Sequence, residues 1–228
     1  HIIDLVPGLI GLKGKQSFFA DIAGIRADAK VDLYIESTHV CSEQGELQLT
    51  NYGISGIPVF QLSRVAARAL SEQKKVYATL NFVPFWEKEQ CLTYFKERFK
   101  EADEKRIGEA LIGFFPEKLI PVLLEESHIK AAKYANRLQT EELESFIDTV
   151  QGLRVDITDW NTFDTAQVTA GGVDTDEINA ETMESKLCPG LYFAGEMVDI
   201  DGICGGYNLQ WAWSSGAVAG IHVARELS

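Results

Sequence analysis

Residues 190–216 read GLYFAGEMVDIDGICGGYNLQWAWSSG and predict a short apolar strand, a glycine-rich loop and a long helix. The predicted strand is Leu191–Ala194, and Glu196 follows it almost directly. Open α/β sheets bind their ligands outside the carboxyl ends of the strands. A carboxylate in this position can accept hydrogen bonds from the hydroxyl groups of a sugar or polyol, so we predict a ligand site here.

The loop after this strand contains two adjacent glycines, Gly205 and Gly206. Neither has a β-carbon, so a ligand can approach the backbone closely. Asn208 is predicted to cap a helix that runs to about Glu226. The N-terminus of such a helix offers free N–H groups and a partial positive charge to an electron-rich group. The alternative at this point is structural: the glycines serve a turn, and the helix is simply packed tightly through its small residues.

The rest of the chain is β-rich, then helical, then β-rich again. Alternating or β-branched segments predict six strands: Ser17–Ala20, Ile25–Ala29, Val31–Ile35, Glu46–Thr50, Lys75–Phe82 and Gly152–Thr158. Apolar residues at helical spacing predict five helices: Ile57–Glu72, Trp86–Ala102, Lys105–Phe115, Pro116–Glu125 and Thr140–Val150. This order predicts an α+β protein with a helical subdomain inserted in a β-rich domain.

The composition excludes several classes of protein. The 228 residues are 46% hydrophobic and carry a net charge of −13, which is typical of a soluble globular protein. Such a charge argues against nucleic acid or an anionic membrane as a main partner. No uncharged apolar run reaches the roughly 18 residues that a transmembrane helix needs. The four cysteines include no CxxC pair, so we expect reduced thiols and a cytoplasmic protein.

Three blocks of the sequence together resemble a known family: Thr50–Gly56 (TNYGISG), Ala166–Val173 (AQVTAGGV) and Thr182–Gly216. They are similar to the bacterial BaiN-type, aminoacetone-oxidase-like NAD(P)/FAD-dependent oxidoreductases, and occur in the family's order. The resemblance implies a small β-barrel with an inserted helical bundle, followed by the C-terminal strand–helix segment of a Rossmann-like FAD-binding domain. The implied insert domain spans residues 1–160, with the barrel at 1–83 and 151–160 and the helical subdomain at 84–150. The implied FAD-binding segment spans residues 161–228.

The same resemblance implies which residues bind the cofactor, FAD. Glu196, which follows Gly195, would lie by the ribityl chain. The helix that faces the electron-rich edge of the flavin would begin with Leu209 and Gln210. Four further residues would lie against the flavin or its adjoining phosphates: Gly205, Gly206, Tyr207 and Asn208. Two glycines, Gly171 and Gly172, would approach the flavin from the other side. The resemblance implies no metal site, and no catalytic residue is assigned.

One family feature is absent from the sequence: no GxGxxG motif, which would cradle the FAD pyrophosphate, occurs in it. We therefore expect the chain to be the C-terminal portion of a flavoprotein, inactive and weak or negligible in FAD binding when alone. The implied parent reaction is hydride transfer between the flavin and NAD(P)H or an organic substrate. Apolar surface left uncovered in the isolated chain is expected to promote self-association. The alternative function is a non-enzymatic interaction module in which the flavin segment is a remnant.

Four further features have two interpretations each. Thr50–Gly56 is either a substrate-side loop or a tight turn before the next helix. Cys204 invites a redox role, but a working thiol needs a lowered pKa and usually a partner. His39 and Cys41 alternate along a possible strand without further metal ligands at matching spacing. At most one of the tryptophans at positions 211 and 213 can face a ligand, and the other is expected in the core.

Overall fold

A computed structural model describes residues 1–226 of the chain, and within that range it contains eight strands and seven α-helices. The α+β class is confirmed. The strands are β1 (Ile2–Gly8), β2 (Leu12–Gly14), β3 (Arg26–Ile35), β4 (Thr38–Leu49), β5 (Gly53–Gly56), β6 (Val76–Asn81), β7 (Leu153–Trp160) and β8 (Val168–Val173). The helices are α1 (Phe19–Ile22), α2 (Ile57–Ser71), α3 (Lys88–Glu101), α4 (Ile107–Leu111), α5 (Leu119–Glu126), α6 (Thr140–Gly152) and α7 (Tyr207–Glu226).

Six strands form a closed antiparallel barrel in the order β2–β5–β4–β3–β6–β7. Alternate side chains of a strand point to opposite faces, so every second residue enters the barrel. In β6 the buried positions are Val76, Ala78 and Leu80, while the residues between them are partly exposed. Closure leaves these strands with a neighbour on both sides, which removes the unpaired edges of an open sheet.

The segment between β6 and β7 is helical and contributes its apolar faces to the core that fills the barrel. Its centre is an aromatic cluster around Phe95 of α3, which is fully buried. The Phe95 ring lies edge-on to Phe146 of α6, with ring centroids 5.5 Å apart, and stacks parallel to Phe115 at 6.1 Å. These contacts join three parts of the helical segment to one another.

The remaining strands, β1 and β8, form a separate antiparallel pair outside the barrel. A small apolar cluster of Val6, Ala67 and Ala170 packs this pair against α2. A second small cluster holds the C-terminal segment together and contains Ile178, Met183, Val198 and Ala219. Residues 1–8 therefore pair with the C-terminal segment, whereas the resemblance groups them with the barrel.

Two predicted strands are wrong. Ser17–Ala20 contains the start of α1, because Phe18 and Phe19 are adjacent and both buried, which the alternation of a strand does not allow. Leu191–Ala194 makes only one isolated bridge, between Tyr192 and Glu184, among the described residues. Its neighbour is the short segment of residues 183–185, which it joins through the Ser185 N–H to the Leu191 carbonyl and the Phe193 N–H to the Met183 carbonyl. This pairing is too short to form a strand.

The helix predictions agree better with the structure. The predicted helix Ile57–Glu72 is confirmed as α2, and Thr140–Val150 as most of α6. Pro58 lies in the first turn of α2, where its missing N–H has no helical partner to lose. No helix within residues 1–226 is both long enough and apolar enough to cross a membrane.

Candidate functional site

The predicted ligand site is a cleft between the start of β8 and the first turns of α7. We call it the β8–α7 cleft; its volume is about 380 Å³. It is lined by Leu9, Gln167, Val168, Thr169, Glu196, Ile200, Cys204, Gly205, Gly206, Asn208, Leu209, Trp211 and Ala212. Five residues that the resemblance implied for FAD lie together here: Glu196, Gly205, Gly206, Asn208 and Leu209.

Glu196 lies in a short 3₁₀ turn, Gly195–Met197, between β8 and α7. Its exposed carboxylate accepts a hydrogen bond from the Thr169 N–H of β8, 2.5 Å away. Gly195 is buried beneath it and is bound at both ends to α7: its N–H donates to Ser215 Oγ at 2.9 Å, and its carbonyl accepts from Trp211 Nε1 at 3.0 Å. The turn is thus held against both walls, and the second oxygen of Glu196 remains available for a ligand.

A second rim of the cleft is the loop of residues 199–206, which contains Gly205 and Gly206. Their φ angles are +129° and +91°, in the region that favours glycine. A β-carbon on Gly206 would meet no atom within 4 Å, so this backbone borders open space. A ligand can therefore come close to the Gly206 backbone without displacing a side chain.

Asn208 has a different role from the predicted helix cap. Helix α7 begins one residue earlier, at Tyr207. The Asn208 side chain accepts from the Gly202 N–H at 2.7 Å and donates to the Gly202 carbonyl at 3.0 Å. The Asn208 side chain therefore closes the loop that precedes the helix. It does not bind the N–H groups of the first turn of α7.

Tyr207 and Gln210 begin α7 but do not line the cleft. Tyr207 is exposed, and the Gln210 side chain donates to Ser214 Oγ along the helix at 2.9 Å. Trp211 does line the cleft, as the sequence allowed for one of the two tryptophans. The expectation that the other lies in the core is wrong: Trp213 is 67% exposed, because no other described element covers that face of α7.

Gly171 and Gly172 lie within β8 and do not line the cleft either. A β-carbon on Gly171 would lie 2.4 Å from the Asp4 carbonyl oxygen of β1, and one on Gly172 would lie 2.4 Å from the Met197 carbonyl oxygen. Both have positive φ angles, +109° and +129°. In this structure the two glycines allow other backbone segments to pack closely against β8. Gly171 lets β1 approach, and Gly172 lets the turn that carries Glu196 approach.

Sequence reasoning missed the lining residues Leu9 and Thr169. Leu9 follows β1 with a φ of +50°, about 160 positions before the rest of the site, and the β1–β8 pairing brings it there. Thr169 is in the Ala166–Val173 block, but in that block only the neighbouring glycines were predicted to contact a ligand. No local pattern marks Leu9 as a site residue.

The other sequence candidates lie away from the cleft, apart from Cys204. Thr50–Gly56 forms the turn into β5 and the strand itself, with the Thr50 hydroxyl donating to the Gly53 carbonyl at 3.0 Å, so the turn interpretation holds. Within residues 1–226, no group of three or more His, Cys, Asp or Glu side chains could hold a metal ion. Cys204 lines the cleft, and its N–H donates to Gln61 Oε1 at 3.0 Å.

His39 takes part in a polar cluster on the outside of the barrel. Its Nε2 lies 2.9 Å from Ser42 Oγ and 3.4 Å from Asp32 Oδ1, and Ser42 donates to the same carboxylate. Burial alone would raise the pKa of Asp32, but hydrogen bonds from Lys30 and Ser42 outweigh it and hold the pKa below its ordinary value. The serine donates to the aspartate instead of standing at the end of a Ser–His–Asp chain, so this is not a hydrolase triad.

We expect Asp32→Asn to destabilise the protein by roughly 1–2 kcal/mol at pH 7, since charge-assisted hydrogen bonds are lost. The folded pKa of Asp32 lies below its unfolded value, so its contribution is complete above about pH 3.8 and is lost as the pH falls through the folded pKa. Urea unfolding at pH 7 and pH 3 measures this. A difference between wild type and variant that is as large at pH 3 as at pH 7 would contradict the assignment.

Comparison with known proteins identifies the family. A family model described as "HI0933-like protein Rossmann domain" matches residues 20–222. The chain belongs to this family. The prediction of a BaiN-type oxidoreductase is thereby confirmed, and the chain is a member of a flavin-dependent oxidoreductase family.

Three curated relatives match over most of this chain. It is 45% identical over 216 residues to the "3-dehydro-bile acid delta(4,6)-reductase" of Clostridium scindens, covering 95% of this chain and 53% of that protein. It is 33% identical over 169 residues to the "Ribosomal RNA dihydrouridine synthase" of Escherichia coli, covering 74% and 40%. It is 29% identical over 198 residues to the protein of the same description from Haemophilus influenzae, covering 86% and 47%. The chain spans about half the length of these relatives.

Proposed function

We propose that the β8–α7 cleft binds the flavin portion of FAD in a flavin-dependent oxidoreductase. One observation carries the proposal: the Glu196 carboxylate and the glycine pair Gly205–Gly206 at the start of α7 line a single cleft. Hydroxyl groups require an acceptor, and an electron-rich ring edge requires N–H donors. The two rims of the cleft supply these complementary groups.

The size and chemistry of the cleft support this assignment. Small-molecule sites commonly have volumes of about 300–1,000 Å³. At about 380 Å³, the cleft suits a ring system and part of its side chain better than a whole dinucleotide. Leu9, Val168 and Trp211 give it apolar walls, and within residues 1–226 no lysine or arginine lines it. These walls would pack against one face of the ring.

The residues of the chain would bind and orient the cofactor. When bound, FAD supplies hydride transfer with NAD(P)H or an organic substrate. Glu196 would accept hydrogen bonds from the ribityl hydroxyls through the oxygen that Thr169 does not occupy. The N–H groups of Gly206 and of the first turn of α7 would stabilise negative charge at the ring edge, helped by the partial positive charge of the helix N-terminus.

The names of the relatives suggest a reaction type. The two names that they carry both describe the addition of hydrogen to a carbon–carbon double bond: one in a bile acid derivative, the other in a uridine of ribosomal RNA. We propose the same reaction type for the protein that contains this chain. The net charge of −13, and the absence of lysine and arginine among the described residues that line the cleft, favour a small organic substrate over a polyanionic RNA.

We also propose the division of the chain into an insert domain up to about residue 160 and a Rossmann-like FAD-binding segment from residue 161. Separate apolar clusters in the barrel and in the C-terminal segment support it. The pairing of β1 with β8 suggests that residues 1–8 belong with the second part.

All four cysteines are free, which fits a reducing compartment such as the cytoplasm.

The proposed site is tested by Glu196→Ala and Gly206→Val in the full-length protein. We expect each to weaken FAD binding about tenfold or more, since a charged hydrogen-bond partner contributes roughly 1.5–3 kcal/mol. The measurements are FAD dissociation constants and flavin retained after gel filtration.

Two control variants match these changes outside the cleft. Glu181→Ala removes an exposed carboxylate from the same segment. Gly190→Val places a β-branched residue at a φ of +80° in open space, which reproduces the backbone strain of Gly206→Val. Wild-type FAD affinity in both site variants would sink the assignment.

The 228 residues alone are proposed to retain FAD weakly and to self-associate. Glu196, Gly205, Gly206 and Leu209 are all exposed, so a bound flavin would be covered on one side only. Leu209 and Trp213 are 61% and 67% exposed on α7, which leaves apolar surface for a second molecule. A visible absorption spectrum before and after gel filtration with FAD, together with the elution volume, tests both points.

A further inference from the structure

Helix α2 of the barrel contacts the 199–206 loop through three polar side chains. Gln61 Oε1 accepts the Cys204 N–H at 3.0 Å. The other two contacts are ion pairs: Arg64 Nη1 lies 2.9 Å from Asp201 Oδ1, and Arg68 Nη2 lies 3.5 Å from Asp199 Oδ1. Positions 61, 64 and 68 share one side of a helix, so α2 presents a continuous polar face to this loop.

The opposite side of α2 is fixed in the core. Val59, Leu62, Ala66 and Ala69 are buried against the barrel. Ser63 is also buried, and its hydroxyl accepts the Ile10 N–H at 3.2 Å, next to the cleft residue Leu9. One rigid helix therefore contacts both a segment on the Leu9 side of the cleft and the loop on the glycine side.

The 199–206 loop has no strand or helix to fix its position. Within the chain on either side of it, the loop is held by the Asn208–Gly202 hydrogen bonds and by three backbone bonds: Asp199 N–H to the Val173 carbonyl, Ile200 N–H to the Val198 carbonyl, and Gln210 N–H to the Gly206 carbonyl. The Gln61 contact comes from a different element, α2, and it binds the residue that directly precedes Gly205. Loss of this acceptor would release the peptide that precedes the glycine pair.

We propose that Gln61 of α2 is a positioning residue for the flavin site, and that it acts through Cys204 to hold the N–H groups of Gly205 and Gly206 against the cofactor. Arg64 supports it through Asp201. This inference rests on the proposed FAD site and extends it: the barrel would set the environment of a cofactor that it does not itself touch.

A matched pair of variants isolates the hydrogen bond. Gln61→Met keeps the length of the side chain and removes the oxygen acceptor, whereas Gln61→Glu keeps an acceptor oxygen. In the full-length, FAD-loaded protein we expect Gln61→Met to raise the FAD dissociation constant about fivefold and to lower the flavin reduction potential, since displaced N–H groups no longer stabilise the added negative charge. Gln61→Glu is expected to restore the affinity to within about twofold of wild type.

The flavin reduction potential is the deciding measurement. If Gln61 had a merely structural role, its replacement would lower the melting temperature and leave the reduction potential unchanged. Gln44→Met is the control, since Gln44 is an exposed glutamine on β4. Wild-type affinity and potential in Gln61→Met would overturn the inference. If Glu196→Ala weakens FAD binding while Gln61→Met changes neither quantity, this inference alone fails. If Glu196→Ala and Gly206→Val both keep wild-type affinity, the proposed site itself fails.

Discussion

Replacing Gly172 with alanine is expected to lower the free energy of unfolding by about 3 kcal/mol or more, because two costs combine. The new β-carbon would lie 2.4 Å from the Met197 carbonyl oxygen, a backbone atom that cannot rotate away. The φ of +129° adds strain for any residue with a side chain. The turn that carries Glu196 would have to move away from β8, so FAD binding should also fall.

Gly190→Ala is the matched control for this change. Gly190 also has a positive φ, +80°, but a β-carbon there meets nothing within 4 Å. Its cost should be limited to backbone strain of about 1–2 kcal/mol. Urea unfolding of both variants separates strain from collision. Equal stabilities would show that β8 has room at Gly172 and that its glycine is needed for another reason, such as contact with a ligand.

The second large effect is expected at Phe95, at the centre of the aromatic cluster. Phe95→Ala should destabilise the protein by about 3–5 kcal/mol, since it removes a fully buried ring and leaves a cavity. The loss would fall on the contacts that join α3 to Phe146 of α6 and to Phe115. Thermal or urea unfolding followed by circular dichroism measures it.

Phe85→Ala provides the comparison, because Phe85 is 78% exposed and its removal should change stability by less than about 0.5 kcal/mol. Phe95→Leu should lie between the two, since leucine fills part of the cavity. A Phe95→Ala variant as stable as Phe85→Ala would contradict the packing described for the helical segment.

Local patterns in the sequence were sufficient for several elements. Helices α2 and α6 follow from apolar residues at helical spacing, and the early part of α7 from its position after a glycine pair. The family followed from three short blocks, because a cofactor site requires particular residues at particular spacings. Glu196, Gly205 and Gly206 were predicted as site residues in this way, since their residue types are chemically informative without knowledge of their neighbours, and they line one cleft.

The tertiary structure alone decided which distant segments meet. Leu9 reaches the cleft only because β1 pairs with β8, and Gln61 reaches Cys204 only because α2 packs beside the loop. Gly172 resembled a ligand-approach glycine in the sequence, yet the atom beside it is the Met197 carbonyl oxygen. Helical periodicity is a property of neighbouring residues, so the sequence by itself determines it. Strand pairing and backbone crowding depend on partners far along the chain, and no local pattern records which partner a strand or a glycine will meet.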